Sequence, residues 1–367
     1  MLRRILWAAL VVASCCCGKP ASAQKLPDYY PADYDRIVEA SKGEKTLLIY
    51  SNMGKAQWKP MLEGFNRLYP WLTVETLDLG SSEVMERYFA EKATGSRTAD
   101  LIVTAAADAW LEMMERGDIV DYSSPEAANF PDWSRPFPGL YTVATDPLAF
   151  VWNKLQIGTA AVPTTFAEIV DFATNAGPSM NGKITTYGAY MDSFGFTADY
   201  AFAKHHGEQA WKWWNAIGPL TRPERSAGPM IEKITSGEYT MGYFLGARIS
   251  LILRNEPARA KILGWSYIKD GTPVMMRGLA IPKGSTNVNA AKLMLDFLLS
   301  HGGQIAVAQG GFVPLRNDLK QEEVPLHTYK TVVDAIGQEN VILIDYDKNM
   351  NKERDSFIAR WRKAHNL

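Results

Sequence analysis

Lys45-Thr-Leu-Leu-Ile-Tyr-Ser-Asn-Met-Gly-Lys55 is the stretch from which the rest of the chain can be read. Residues 46–50 form an unbroken aliphatic and β-branched run, as expected of a parallel strand covered on both faces. The run stops at two small polar residues, Ser51 and Asn52, and a helix is predicted from about 56 to 69. Ligands of open α/β sheets collect beyond the carboxyl ends of the strands, where free backbone N–H groups and helix N-termini converge. This strand therefore ends where a ligand would sit.

The pattern repeats downstream. A strand over 72–77 runs through Ser81 and Ser82, a natural cap, into a helix over 83–94. A third strand, 99–104, ends in Thr104 and leads to a helix from about 108 to 116. This βαβαβα order calls for a parallel sheet with right-handed crossovers. Two short strand-like runs follow at 140–144 and 148–153. A second α/β unit begins near 150, with a helix start at Pro163-Thr164-Thr165, strands over 183–190 and 239–245, and a helix from about 192 to 206. A strand over 272–282 returns to the first unit. Amphipathic helices over 287–299 and 304–310 come next, and two more near 327–338 and 351–365 finish the chain.

Composition narrows the function. The chain has 367 residues, 47% of them hydrophobic, enough for two packed domains. Its formal net charge of −1 and lack of long charge runs exclude a nucleic-acid binder. The first 23 residues have the form of a secretory signal: Arg3 and Arg4, an apolar 5–13, and Ala21-Ser22-Ala23 as the cleavage site. Cleavage there leaves 36 basic against 40 acidic side chains and removes all three cysteines, Cys15, Cys16 and Cys17. Disulfides, thiolate metal sites and thiol catalysis then drop out. An alternative reading takes Val12-Ala13-Ser14-Cys15 as a lipobox, with Cys15 as a lipid anchor.

Catalytic signatures are missing. None of His205, His206, His301, His327 or His365 falls in H-E-x-x-H, there is no G-x-S-x-G, and Gly278 to Ser285 is not a P-loop. Trp211, Trp213 and Trp214 at helical spacing read as packing. The strand ends instead supply hydroxyls, amides and cations suited to holding an anion. The candidate ligand contacts are Ser51, Asn52, Ser81, Ser82, Glu83, Thr104, Tyr190, Ser193, Tyr243, Arg248 and Arg277. Each hydroxyl could equally be no more than a helix cap, and each strand tyrosine no more than core.

The order of these elements, with Ala99-Asp100-Leu101, Trp152-Asn153-Lys154, Pro163-Thr164-Thr165 and Arg277-Gly278-Leu279-Ala280-Ile281-Pro282-Lys283-Gly284, resembles the periplasmic solute-binding proteins of ABC importers over about 45–316. The similarity is to the two-lobed group that includes ferric-iron, phosphonate and sugar-phosphate binders. It implies two Rossmann-like lobes with a ligand cleft between them, the type II periplasmic binding fold or Venus flytrap. On that basis lobe I spans 24–147 and 275–316, lobe II spans 148–274, and helices of 317–367 pack on the lobes, with hinge strands near 145–153 and 270–277. The implied protein is a periplasmic monomer without cofactor or enzymatic activity. It captures a small anionic solute, a phosphorylated or carboxylated compound, and delivers it to a membrane permease. Iron-binding members place adjacent tyrosines where this chain has Ala247 and Arg248, and a histidine where it has Met53-Gly54-Lys55. A guanidinium repels Fe³⁺ and suits a carboxylate or phosphate. A ferric binder using a synergistic anion, with Glu83 as its carboxylate, and a secreted hydrolase remain the alternatives.

Overall fold

The computed structural model describes residues 26–158 and 162–367, so the signal-like segment and the lipobox lie outside the described residues. Residues up to Tyr30 form one unit and Pro31–Leu367 another. In the first, Tyr30 N–H donates to the Pro27 carbonyl at 3.0 Å in a turn. Everything below concerns the second.

The strands are β1 Thr46–Ser51, β2 Thr73–Asp78, β3 Leu101–Thr104, β4 Tyr141–Asn153, β5 Ile184–Tyr187, β6 Thr221–Glu224, β7 Met241–Gly246, β8 Leu263–Tyr267, β9 Thr272–Ala280 and β10 Val341–Ile344. They hydrogen-bond in the order β2-β1-β3-β9-β4-β7-β5-β6, with β10 added to β9 and β8 to β4. The predicted parallel set β2-β1-β3 is present, with Ser51 level with Asp78 and with Val103. A second parallel set, β7-β5-β6, lies at the other end. The antiparallel β9 and β4 join the two.

The two short runs expected at 140–144 and 148–153 are one strand of 13 residues. Asp146-Pro147, read as a break, is where β4 changes partners. Residues 141–147 pair with β9, and 148–153 pair with β7 and β8. Proline lacks a donor and is tolerated at such a point. The Pro147 carbonyl still accepts from Ala247 N–H at 2.8 Å. β4 therefore belongs to both halves of the sheet: the half with β1, β2, β3 and β9, and the half with β5, β6 and β7. The C-terminal region also departs from the all-helical expectation, because Val341–Ile344 adds a strand parallel to β9.

Helix starts carry the expected chemistry, with one change. Thr165 accepts from Glu168 N–H at 3.1 Å, and the Glu168 carboxylate reaches back to the N–H groups of Thr164 and Thr165. The helix after β2 is Ser81–Ala93, and its cap is Gly80, whose N–H donates to the Glu83 carboxylate. Glu83 is thus the reciprocal half of a capping box.

Two buried carboxylates tie distant segments to the first half. Asp100, at the start of β3, accepts from Leu48 N–H and from Thr286 and Asn287 N–H. Asp296, on helix Val288–Leu299, accepts from the hydroxyls of Tyr34, Tyr122 and Ser124 at 2.6–2.7 Å. Burial raises the Asp296 pKa to about 6 despite these three donors. In the second half Trp214 and Trp361 are fully buried. Phe357 and Trp361 of helix Met350–Ala364 join the apolar core that includes Trp211 and Trp214, so the tryptophan patch is packing.

Because the folded pKa of Asp296 exceeds an unfolded carboxyl's, the native state binds the extra proton, and ionisation costs stability as pH rises from about 4 to 6. Asp296→Asn removes that slope. The unfolding free energy of the variant relative to the parent should rise by up to about 3 kcal/mol across this window, by denaturant titration at each pH; parallel curves would contradict the assignment. Gly278 on β9 leaves room for Trp110, whose ring nitrogen would lie 2.3 Å from an added Cβ. Gly278→Ala should cost about 1–3 kcal/mol by overpacking, measured the same way.

Candidate functional site

A cavity of about 480 Å³ opens between the two halves of the sheet. The first half contributes the ends of β1 and β2, through Asn52, Asp78 and Ser81, with Asp146 from β4 and Arg277 from β9. The second half contributes the segments after β5, β6 and β7, through Tyr187, Asp192, Arg225 to Gly228, Gly246 and Arg248. Asp146 and Arg277 apart, both sets lie at or just beyond the carboxyl ends of parallel strands.

Arg277 anchors the first wall. Its side chain is 5% exposed and pairs with Asp146 at 2.6 Å. It also donates to the Asn52 side-chain oxygen and lies 4.6 Å from the centre of the Phe312 ring. The Asn52 amide nitrogen donates to Ser81 Oγ at 2.8 Å. This chain of contacts fixes the amide's orientation. The pairing, the hydrogen bond and the ring contact offset the loss of water around the buried guanidinium. Nε of Arg277 has no partner among the described residues.

Arg248 forms the opposing cation. It is half-buried, and its Nε is buried without a partner among the described residues. Burial lowers its pKa and the nearby Asp146 opposes this. Its stem lies against Gly311, where φ is +93° and an added Cβ would sit 3.1 Å from Arg248 Cγ. Beside it, the first turn of helix Ala227–Ser236 faces the cavity, and its N-cap Ser226 makes no side-chain capping bond. Arg225, exposed on the rim, has no ion pair among the described residues. Free N–H groups and cations converge here, the arrangement that holds phosphate or carboxylate oxygens.

Carboxylates balance these charges. Asp192 caps helix Ser193–His206 by accepting from Phe194 N–H at 2.9 Å. Asp78 has no hydrogen-bond partner among the described residues, and partial burial raises its pKa. The acceptors lie mainly toward β1 and β2. Arg225, Arg248 and the free helix turn lie toward β6 and β7.

Of the residues singled out from sequence, Asn52, Ser81, Arg248 and Arg277 line this cavity. Ser82 and Ser193 bond to each other instead, Oγ to Oγ at 2.8 Å. Ser51 is buried and accepts from the Trp58 indole at 2.9 Å. Thr104 is buried behind Ser81, donating to its carbonyl at 3.5 Å. Glu83 is used in its capping box. Tyr243 is fully buried in the core, 3.4 Å from His365 Nε2, and Tyr190 packs near Trp361 and Arg362. None of these seven is in the cavity lining. The reading missed Asp78, Asp146, Tyr187, Asp192, Arg225 and Phe312. The signal for Asp146 was a charged residue inside an otherwise apolar strand. Arg225 follows β6, whose Thr-Arg-Pro-Glu sequence gives no strand pattern.

Among the described residues no group of three His, Cys, Asp or Glu side chains is placed to hold a metal, and no helix is long and apolar enough to cross a membrane.

No curated protein matches the chain. Among solved structures, the substrate-binding protein of an ABC transporter from Agrobacterium tumefaciens is similar at 23% identity, over 88% of this chain and 94% of that one, with a TM-score of 0.79. AfuA from Actinobacillus pleuropneumoniae, a periplasmic binding protein with fructose-6-phosphate bound, is similar at 22% identity over 88% and 99%, TM-score 0.72. Iron-bound HitA from Pseudomonas aeruginosa follows at 17% identity over 87% and 99%, TM-score 0.66. These likenesses fix the fold as that of the type II periplasmic binding proteins, and nothing among them supports a hydrolase. Residues 61–331 match the family described as bacterial extracellular solute-binding protein, and the chain belongs to that family.

Proposed function

We propose that this protein captures a small organic anion, phosphorylated or carboxylated, outside the cytoplasm and hands it to the permease of an ABC importer. The observation that carries the reading is the pair Arg248 and Arg277, set on opposite halves of the sheet and facing one cavity. The uncapped first turn of helix Ala227–Ser236 supports it. Within Pro31–Leu367, the residues up to 147 and 275–316 belong to one lobe and 148–274 to the other. β4 near Asp146 and β9 near Thr272 act as the hinge strands, and closure buries the ligand between the lobes. Secretion follows from the signal-like N-terminus.

Iron-bound neighbours keep a ferric reading in view. Two features of this chain weigh against it: a guanidinium stands at the cavity beside Ala247, and among the described residues no group of three His, Cys, Asp or Glu side chains is placed to hold a metal. AfuA was solved with fructose-6-phosphate, so sugar phosphates are the first ligands to try. A thermal-shift screen should include sugar phosphates, phosphonates, carboxylates, and Fe³⁺ with citrate. Stabilisation by a phosphorylated or carboxylated compound in the absence of iron is the expected result. A tight complex formed only with Fe³⁺ would overturn it.

For the best anion found, Arg248→Ala should weaken binding by about 1.5–3 kcal/mol, the scale of a hydrogen bond to a charged group. In dissociation constant this is roughly tenfold to a hundredfold, read by titration calorimetry. Unchanged affinity would remove Arg248 from the site.

A further inference from the structure

Ser82 and Ser193 were candidate ligand contacts, yet they point at each other. Ser82 stands in the first turn of helix Ser81–Ala93, which follows β2 in the first half of the sheet. Ser193 opens helix Ser193–His206, which follows β5 in the second half. Ser193 N–H donates to Ser82 Oγ at 3.2 Å, and Ser82 N–H points at the Asp192 carboxylate at 3.5 Å. Ser193 Oγ donates to Asp108 Oδ2 at 2.9 Å. That donation leaves the Ser82 hydroxyl to donate across the 2.8 Å gap to Ser193 Oγ.

Asp108 sits in the helix after β3, again in the first half, and its side chain is 5% exposed. The same oxygen that accepts from Ser193 also accepts from Arg354 Nη1. Asn351 adds a bond to the Asp108 carbonyl at 3.0 Å. Arg354 and Asn351 belong to helix Met350–Ala364, whose Phe357 and Trp361 are buried in a core that joins Phe196 and Trp214 of the second half to Ala107 and Leu111 on the helix of Asp108. The Arg354 guanidinium lies 4.5 Å from the centre of the Phe196 ring, in the second half. One carboxylate of the first half is therefore gripped by a serine of the second half and an arginine of the C-terminal helix.

We propose that Ser82, Ser193, Asp108 and Arg354 form a closure latch, through which the C-terminal helix sets how long the cleft stays shut. The proposal rests on the two-lobe reading above. These are positioning residues, outside the cavity lining, and they act on the ligand by holding the walls together. Physical chemistry suits them to the task. Each bond is exchanged for one to water on opening, so its net worth is small and the latch remains reversible. The arginine supplies the largest part, because Asp108 loses its counter-charge when the halves part. Ligand contacts and latch contacts then add to the same closed state.

Small-angle scattering of the ligand-free protein tests this with Arg354→Gln, Ser193→Ala and a wedge variant, Ser82→Trp, that forces bulk between the two serines. The parent should fit scattering calculated for the closed structure, and the wedge should expand it. Arg354→Gln and Ser193→Ala should move the radius of gyration toward the wedge value. The closed-to-open ratio should fall about tenfold for the arginine change. Arg354→Lys should restore part of the effect, and melting temperatures should stay within a few degrees, since Arg354 is partly exposed. If the wedge expands the protein and the other two leave it unchanged, the latch is refuted while the two lobes stand. A parent already more expanded than the closed structure also refutes the latch alone. A wedge that produces no expansion from a closed parent refutes both.

Discussion

The structure depends on matching one guanidinium buried inside the sheet. Arg277 lies on β9, in the first half, almost wholly removed from water, and would be intolerable there alone. Asp146 answers it from β4, at the residue before the strand changes partners. The pair therefore does two things. It neutralises charge where the sheet is most buried, and it marks the place where the chain passes from one half to the other. Asn52 and Ser81 extend the same chain of contacts to the end of β1, so the first wall of the cavity is positioned before any ligand arrives.

The charge pattern around that pair is what the proposed anionic ligand rests on. Arg277 is already matched, whereas Arg248 is half-buried with an unpartnered Nε and Arg225 has no ion pair among the described residues. The first turn of helix Ala227–Ser236 adds backbone donors without a side-chain cap. A ligand bearing several acceptor oxygens would satisfy all three at once. Hydroxyl groups on the same ligand would meet Asp78 on the first wall and Asp192 on the second. This arrangement has no counterpart to the paired tyrosines expected of the iron-binding members.

The first half of the fold was legible in sequence because its signals are local. The run Leu47 to Tyr50 is apolar on both faces, and the helix before β2 has a clear apolar stripe. The helix start at Pro163-Thr164-Thr165 was equally plain. What escaped had a non-local cause. β4 looked like two strands because Asp146-Pro147 separates its two apolar runs, and only its partners on either side make it one. β6, β8 and β10 are short, and tertiary pairing decides them. Among the residues that line the cavity, Asn52, Ser81 and Arg248 could be found because they follow strand ends, and Arg277 as a charge within the return strand. Ser51, Thr104, Ser82, Ser193, Tyr190 and Tyr243 were the right residue types for a site, but the structure bonds or packs them against protein groups. A one-dimensional pattern gives no means of separating a hydroxyl that faces a cleft from one that caps a neighbour.

The strand order has a consequence for how the chain matures. β3 finds its outer neighbour only in β9, and β9 gains β10 only when residues 341–344 exist. β4 must likewise wait for β7, β8 and β9, about a hundred residues later. Closing such distant pairings is entropically slow and is rewarded only when both partners are present. The second half has all its strands once residue 267 exists, whereas the first half lacks β9 until residues 272–280 and β10 until residues 341–344. The first half is therefore the last to be completed, although its first strand is the earliest in the chain.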